Sequence, residues 1–316
     1  MRVAVLILAH KNKEQLCRLI SVLNHSAVDI YIHLDKKSCL SNDDFNFENV
    51  YFTEKRFDIS LFDFSMVDAE IELLRTALAH GEYGYYILLS GQDYPLRHID
   101  NIYNYLCKIY PKPLIEVISP ETVTMFAHVF KYNYVIKSFK TGCEAFLRKC
   151  RHGKSIYPYK YISEGVFRVV AAINTIFSRS PKHRLKTMGI EPYFGSQWWI
   201  LPDVAIEKIL AFYDNKGFCD CIKSCYTCDE TFFQTAIMVH ANYFGITLNE
   251  KGYYPNKKWF TIFQHQHPIL LNQSHFDRLV SSDKLFARKF DMNSDSLILD
   301  MLDQYNAESR NQEIHG

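Results

Sequence analysis

Several features that would settle the class of a chain at once are missing from these 316 residues. No long apolar run is present: Arg2 to His10, reading Arg-Val-Ala-Val-Leu-Ile-Leu-Ala-His, holds about eight apolar residues against the ~20 that cross a bilayer. A signal peptide would need a longer hydrophobic stretch and a small-residue cleavage site, and neither follows, so the run reads as a strand of a cytosolic protein. Charge of one sign is missing too. With 36 Lys and Arg against 35 Asp and Glu, the net charge of +1 lacks the basic excess that drives binding to nucleic-acid phosphates. No G-x-G-x-x-G follows the first strand and no G-x-x-x-x-G-K-[ST] occurs anywhere, which removes the main sequence support for a dinucleotide fingerprint or a P-loop. The nine cysteines are odd in number and scattered, a pattern of reduced thiols rather than of a disulfide framework.

What is present is a globular composition rich in rings. Hydrophobic residues make up 48 % and charged residues 22 %, enough for a large core, and the 21 Tyr and 23 Phe can furnish stacking surfaces as well. Arg2 to Ala9 is a continuous apolar run, as expected of a strand buried on both faces of a parallel sheet. Lys13 to Leu23 then places Leu16, Leu19, Ile20 and Leu23 at helical spacing. Asp29–Asp35 and Val50–Thr53 read as strands, Ser65–His80 as an amphipathic helix, and Tyr85–Ser90 as a strand stopped by Gly91 and Pro95. Strand alternating with helix predicts an α/β fold with a mostly parallel sheet. Ligands of such sheets bind at the carboxyl ends of the strands, which singles out His10-Lys11-Asn12, Asp35-Lys36-Lys37 and Gln92-Asp93.

Beyond residue 97 the periodicity weakens. Leu114–Ile118 and Tyr132–Phe139 read as strands, Phe194–Leu201 as an aromatic segment with close backbone approach allowed at Gly195-Ser196, and Val204–Tyr213 as a helix. Basic residues gather between Thr141 and Lys186, including Arg148, Lys149, Arg151 and Arg179, interleaved with Phe146, Tyr157 and Tyr161. Such a stretch reads either as a solvated face or as a surface for membrane or anionic acceptor, and the second reading makes peripheral membrane association an expectation. Two metal readings are available and both fall short of a full ligand set. Cys219, Cys221, Cys225 and Cys228 are clustered without the paired spacing of a zinc site, and His265 and His267 lack a third ligand.

The stretch Tyr226 to Gln234, Tyr-Thr-Cys-Asp-Glu-Thr-Phe-Phe-Gln, carries two adjacent acids into an apolar segment that reads as a buried helix. Thr227 and Glu230 have the S/T-x-x-E spacing of a capping box, and acids suit a helix N-terminus. A buried carboxylate at this place is equally a candidate proton acceptor. The residues alone leave both open.

Four ordered segments resemble one family: Leu88–Leu96 (Leu-Leu-Ser-Gly-Gln-Asp-Tyr-Pro-Leu), Gly195–Trp199, Thr227–Phe233 and Leu285–Asp291 (Leu-Phe-Ala-Arg-Lys-Phe-Asp). Together with the Ile-His-Leu-Asp-Lys-Lys-Ser turn at 32–38 they are similar to the core-2/I-branching β-1,6-N-acetylglucosaminyltransferases, a family that also includes peptide O-xylosyltransferases. The resemblance implies one GT-A-like catalytic domain over 1–316, with a nucleotide-sugar-binding half at 1–110 and an acceptor-binding and catalytic half at 111–316. It implies an inverting transfer, GlcNAc ahead of xylose or galactose, from a UDP-sugar to an oligosaccharide or lipid-linked glycan, without a divalent metal. No Asp-x-Asp triplet, the usual metal-holding pair of GT-A enzymes, occurs in the chain.

Carried onto this sequence, the resemblance makes Glu230 the general base with Asp229 beside it, and Lys289 with Arg288 the cations facing the departing diphosphate. The family's second diphosphate arginine is missing, and His267 stands in that region. Ala9, His10, Asp35 and Asp93 are the expected nucleotide or donor contacts; Ser196, Trp198, Trp199, Trp259 and Glu116 the expected acceptor contacts. The chain shows no N-terminal anchor of the Golgi kind, so the expected setting is bacterial-type surface polysaccharide synthesis in the cytoplasm or at the inner membrane face. A non-catalytic nucleotide- or carbohydrate-binding protein of the same fold, and a zinc-stabilised scaffold, are the competing readings.

Overall fold

A computed structural model describes residues 1–60, 63–119, 122, 181–225, 227–264 and 267–310. The expected strand Tyr132–Phe139, the basic and aromatic residues from Phe146 to Arg179, Tyr226 and His265 lie outside the described residues.

The chain opens with strand β1 (Val3–Ala9), every residue of which is buried, and turns into helix α1 (Lys13–Val22). Asn12 makes that turn. It adopts the left-handed conformation, φ 59°, and its side chain accepts the Gln15 N–H as the helix cap. Strands β2 (Val28–Leu34) and β3 (Val50–Phe52) follow, then helix α2 (Phe64–His80), capped by Asp63, and strands β4 (Tyr85–Ser90) and β5 (Asp93–Pro95). Helix α3 (Ile99–Ile109) comes next, where the sequence periodicity weakens; Ile99, Ile102 and Leu106 form its buried stripe. The later strands are β6 (Glu116–Ile118), β7 (Ile200–Pro202), β8 (Tyr253–Pro255), β9 (Trp259–Thr261), β10 (Phe263–Gln264), β11 (His267–Pro268) and β12 (Phe286–Arg288). Helices span Pro181–Thr187, Asp203–Asp214, Lys216–Lys223, Phe232–Met238, Phe276–Val280 and Leu297–Glu308.

The central sheet has the order β3-β2-β1-β4-β7. Its first four strands are parallel and β7 runs antiparallel to β4. Apolar side chains on both faces of β1, β2 and β4 are covered by helices, so the fold is a mixed α/β architecture with a mostly parallel central sheet flanked by helices, consistent with the expected GT-A-like fold. Crossovers leave the carboxyl ends of β1, β2 and β4 at one edge of the sheet.

A second sheet, β5-β12-β9, is laid against that edge. Its register sets Arg288 of β12 opposite Asp93 of β5 and Thr261 of β9. The buried Gln15 clamps the two parts: its amide donates to the carbonyls of Gly91 and Phe290, at 2.9 and 3.1 Å, and accepts the Met292 N–H. No helix among the described residues is long and apolar enough to cross a membrane.

The clustered cysteines are core residues. Cys219, Cys225 and Cys228 turn their thiols to the separate carbonyls of Tyr213, Cys221 and Ile222, and burial pushes the Cys219 thiol up to about 11. Among the described residues no three His, Cys, Asp or Glu side chains converge on a point where a metal would sit, so the four thiols do not form a zinc cage.

Candidate active site

Two groups of polar residues face each other across the carboxyl edge of the sheet. The first surrounds the ends of β1 and β2. Ala9 is buried, and its carbonyl accepts the Asp35 N–H at 2.8 Å, which fixes the exit of β2 against that of β1. Asp35 is 7 % exposed; its carboxylate accepts the Lys37 N–H at 2.8 Å and lies 3.5 Å from the Lys37 amine. His10 follows Ala9. Desolvation, then Lys11, holds its imidazole below the ordinary value, Lys289 and Lys37 act the same way, and Asp35 opposes them. The Lys289 amine is lowered first by burial and then by Arg288 and Lys11. His10, Lys11, Lys37 and Lys289 therefore share one electropositive region, and Lys11 is also tied to Asp291 at 2.7 Å.

His267, the expected substitute cation, pairs with Gln264 in the exposed β10–β11 hairpin, two residues before Ile269, whose carbonyl accepts the Lys289 N–H at 3.4 Å. Lys11 is a further cation whose charge acts on Lys289. The signal for it was present in the His10-Lys11-Asn12 turn.

Between the two groups lies a buried ion pair. Asp93 has no exposure; one carboxylate oxygen accepts the Ser90 N–H at 2.6 Å and the other faces Arg288 Nε at 3.6 Å. Burial raises the Asp93 carboxyl, and Arg288 opposes that shift. The Arg288 guanidinium is itself sunk in the protein, 3.9 Å above the Trp198 ring, with Nε and Nη1 lacking a hydrogen-bond partner among the described residues.

The second group is built on the turn before the helix Phe232–Met238. Sequence spacing predicted a capping box from Thr227 to Glu230; the helix instead begins at Phe232 with Thr231 at the cap position. Thr227 Oγ1 is buried with no hydrogen-bond partner among the described residues, and the Thr227 carbonyl accepts the Thr231 hydroxyl at 2.7 Å. Glu230 is fastened through its backbone instead. Its backbone carbonyl accepts the Gly195 N–H at 3.0 Å, which fastens the turn to the Gly195–Trp199 segment. Gln234 adds a second tie, donating to the Ser196 carbonyl at 2.7 Å, and the Thr235 hydroxyl accepts the Tyr193 N–H and donates to the Tyr193 carbonyl. Gly195 is required here, since a Cβ would overlap the Glu116 carbonyl oxygen.

Held this way, the Glu230 carboxyl is pushed up to about 8, by burial first and by the charge of Asp229 second. Lys257 and Arg288 pull it down and Glu116 raises it further. Glu116 accepts the Tyr253 hydroxyl at 2.7 Å, and Lys257 is a half-buried amine lowered by desolvation and faced by Glu116, Arg288, Glu230 and Lys284. Lys257 and Tyr253 belong to the site but carry no mark in the sequence beyond their residue types.

The aromatic expectations divide. Trp198 is the platform under Arg288. Trp199 is fully buried against Phe233, and Trp259, 2 % exposed, stacks on Phe286. Both rings stand in the core, so neither Trp199 nor Trp259 presents a ring face to a ligand in this conformation. Ser196 lies half-buried between Gly195 and Trp198, and Asp229 is buried beside Glu230.

A carboxyl with a raised pKa opposite an electropositive edge, at the carboxyl ends of parallel strands, suits transfer of a group from a diphosphate to a hydroxyl. The model of the Core-2/I-branching enzyme family matches residues 3–268. The chain belongs to the Core-2/I-branching enzyme family. No curated protein matches it individually. The family consists of glycosyltransferases, which take a nucleotide-sugar donor and a glycan acceptor. The Leu285–Asp291 segment lies beyond the matched span, yet β12 carries it into the centre of the same site.

Proposed function

We propose that this branching-family member is an inverting, metal-independent glycosyltransferase that moves a sugar, GlcNAc foremost, from a UDP-sugar to an acceptor hydroxyl in surface glycan assembly, with Glu230 as general base. The observation that carries the reading is the Glu230 carboxyl, raised to about 8 and backed by Asp229, across from Lys289 and Lys11. In the proposed step the acceptor oxygen attacks the anomeric carbon from the face opposite the nucleotide. The bond from that carbon to the phosphate oxygen breaks, Glu230 takes the acceptor proton, and the electron pair leaves with the diphosphate. Lys289, Lys11 and His10 meet the charge that develops there, and Asp35 lies where the nucleoside would be held. Metal independence is supported by the donor set. The one acid following β4, Asp93, is committed to Ser90 and Arg288 rather than turned outward as a ligand. Glu116, Tyr253 and Lys257 form the acceptor side, consistent with a division between a donor half at 1–110 and an acceptor half at 111–316.

The test is Glu230→Gln assayed with UDP-GlcNAc and a panel of other nucleotide sugars. Turnover is expected to fall by about 10²–10⁴-fold while UDP binding by calorimetry is retained. Unchanged turnover would overturn the base assignment, and full activity after exhaustive chelation is expected.

A further inference from the structure

Helix α2 carries an acid where its apolar stripe should continue. Val67, Ile71 and Leu74 face the core, and Glu70 shares their face with no exposure at all. One oxygen of Glu70 accepts the Gln197 amide at 2.8 Å, and the other is buried with no hydrogen-bond partner among the described residues. Among the described residues no cation acts on it; the one charge that does is that of Asp229, the residue next to the base. Two charged neighbours on α2 turn elsewhere, Arg75 to Asp214 and Asp68 to the Tyr213 hydroxyl.

A carboxylate in that position would be a buried charge without a counterion beside a second carboxylate, an arrangement that costs several kcal/mol and is relieved by taking up a proton. Burial accordingly drives the Glu70 carboxyl well above its ordinary value. A neutral acid has one oxygen that accepts and one O–H that donates. Gln197 occupies the acceptor, which assigns the proton to the oxygen left unpartnered.

We propose that Glu70 is a neutral carboxylic acid that positions the catalytic turn, its O–H set toward Asp229 so that Asp229 stays ionised behind Glu230. Gln197 completes the device by linking it to the Gly195–Trp199 segment, whose Gly195 N–H holds the Glu230 carbonyl. Loss of the O–H makes Asp229 harder to ionise; with less negative charge beside it, Glu230 becomes a weaker base. The groups facing Glu230 whose charge enters this balance are Asp229, Lys257, Glu116 and Arg288. The inference rests on the reading of Glu230 as the base.

Two variants separate a positioning role from a packing one. Glu70→Gln keeps a carbonyl for Gln197 and supplies an N–H donor toward Asp229, so kcat/KM should stay within a few-fold of wild type and its pH profile should hold. Glu70→Leu keeps the volume but has no donor. It should lower kcat by at least about tenfold, as loss of an outer partner of a reacting group does, and move the acid limb of kcat/KM to lower pH. Equal losses in the two variants, or an unmoved limb in Glu70→Leu, would overturn the proposal. A spectroscopic arm is independent of turnover. In the Glu230→Gln background, the infrared carbonyl band of a buried protonated acid should persist at neutral pH and vanish when Glu70→Gln is added; its absence before that addition would refute a neutral Glu70. If Glu230→Gln retains turnover the base reading fails, and the infrared result still decides the protonation of Glu70.

Discussion

Arg288 lies over Trp198 with its guanidinium 3.9 Å from the ring centre, and the same guanidinium is the only cation paired with the fully buried Asp93 among the described residues. A planar guanidinium on an aromatic face can be desolvated at less cost than an ammonium. That is why Arg and not Lys suits this position, while the next residue, Lys289, is only half-buried. Removing Arg288 strands a carboxylate in the core.

The Arg288→Met variant is accordingly expected to lose about 3–5 kcal/mol of stability, the usual cost of breaking a buried pair on one side. Adding Asp93→Asn should recover a large part of that loss, because an amide needs no counterion. Urea denaturation of the two single variants and the double variant measures the coupling, and a double variant no more stable than Arg288→Met would show that the pair is not the source of the loss.

The central sheet was readable in the sequence because its strands are buried on both faces. Val3–Ala9 and Tyr85–Ser90 are apolar without interruption, and nothing but a parallel sheet covered by helices accommodates two such runs joined through amphipathic helices. Residues placed by long-range contact were not readable. Thr227 and Glu230 have capping spacing, but the Gly195 N–H, far away in the chain, takes the Glu230 carbonyl and the helix starts later. Trp199 and Trp259 resembled sugar platforms by type, yet each fills the core against a phenylalanine. Glu70 did leave a trace, an acid at an apolar position of α2, whereas Lys257 left none.

Gly195 offers a second check. A methyl group there would overlap the Glu116 carbonyl oxygen and approach the Gln234 side chain at 3.0 Å, so the backbone must move. Movement breaks the Gly195–Glu230 hydrogen bond and shifts both acids of the acceptor side together. Gly195→Ala should lower kcat by about tenfold or more through misplacement of the proposed base, with a smaller effect on UDP affinity, since the proposed donor contacts are at the ends of β1 and β2. Steady-state kinetics beside UDP calorimetry tests this, and an equal loss in both would mean that the segment supports the donor side as well.

The raised Glu230 carboxyl makes two predictions of opposite kind from one cause. A general base works unprotonated, so kcat/KM should climb with pH along a limb centred near the value of about 8 and level off above it. Stability should run the other way. The folded state holds the Glu230 proton more tightly than the unfolded chain, whose carboxyl titrates near 4.5. The stabilisation tied to that proton is complete below pH 4.5, declines as the unfolded state ionises first, and is gone once the pH has risen through the folded value. Glu230→Gln has no proton to lose. Its stability relative to wild type should therefore increase between pH 5 and pH 9, by an amount on the order of a few kcal/mol, while its turnover is low throughout. Denaturant melts of both proteins at the two pH values give the difference, and a constant gap would mean that Glu230 titrates near its ordinary value and that the burial and Asp229 charge around it do not shift it.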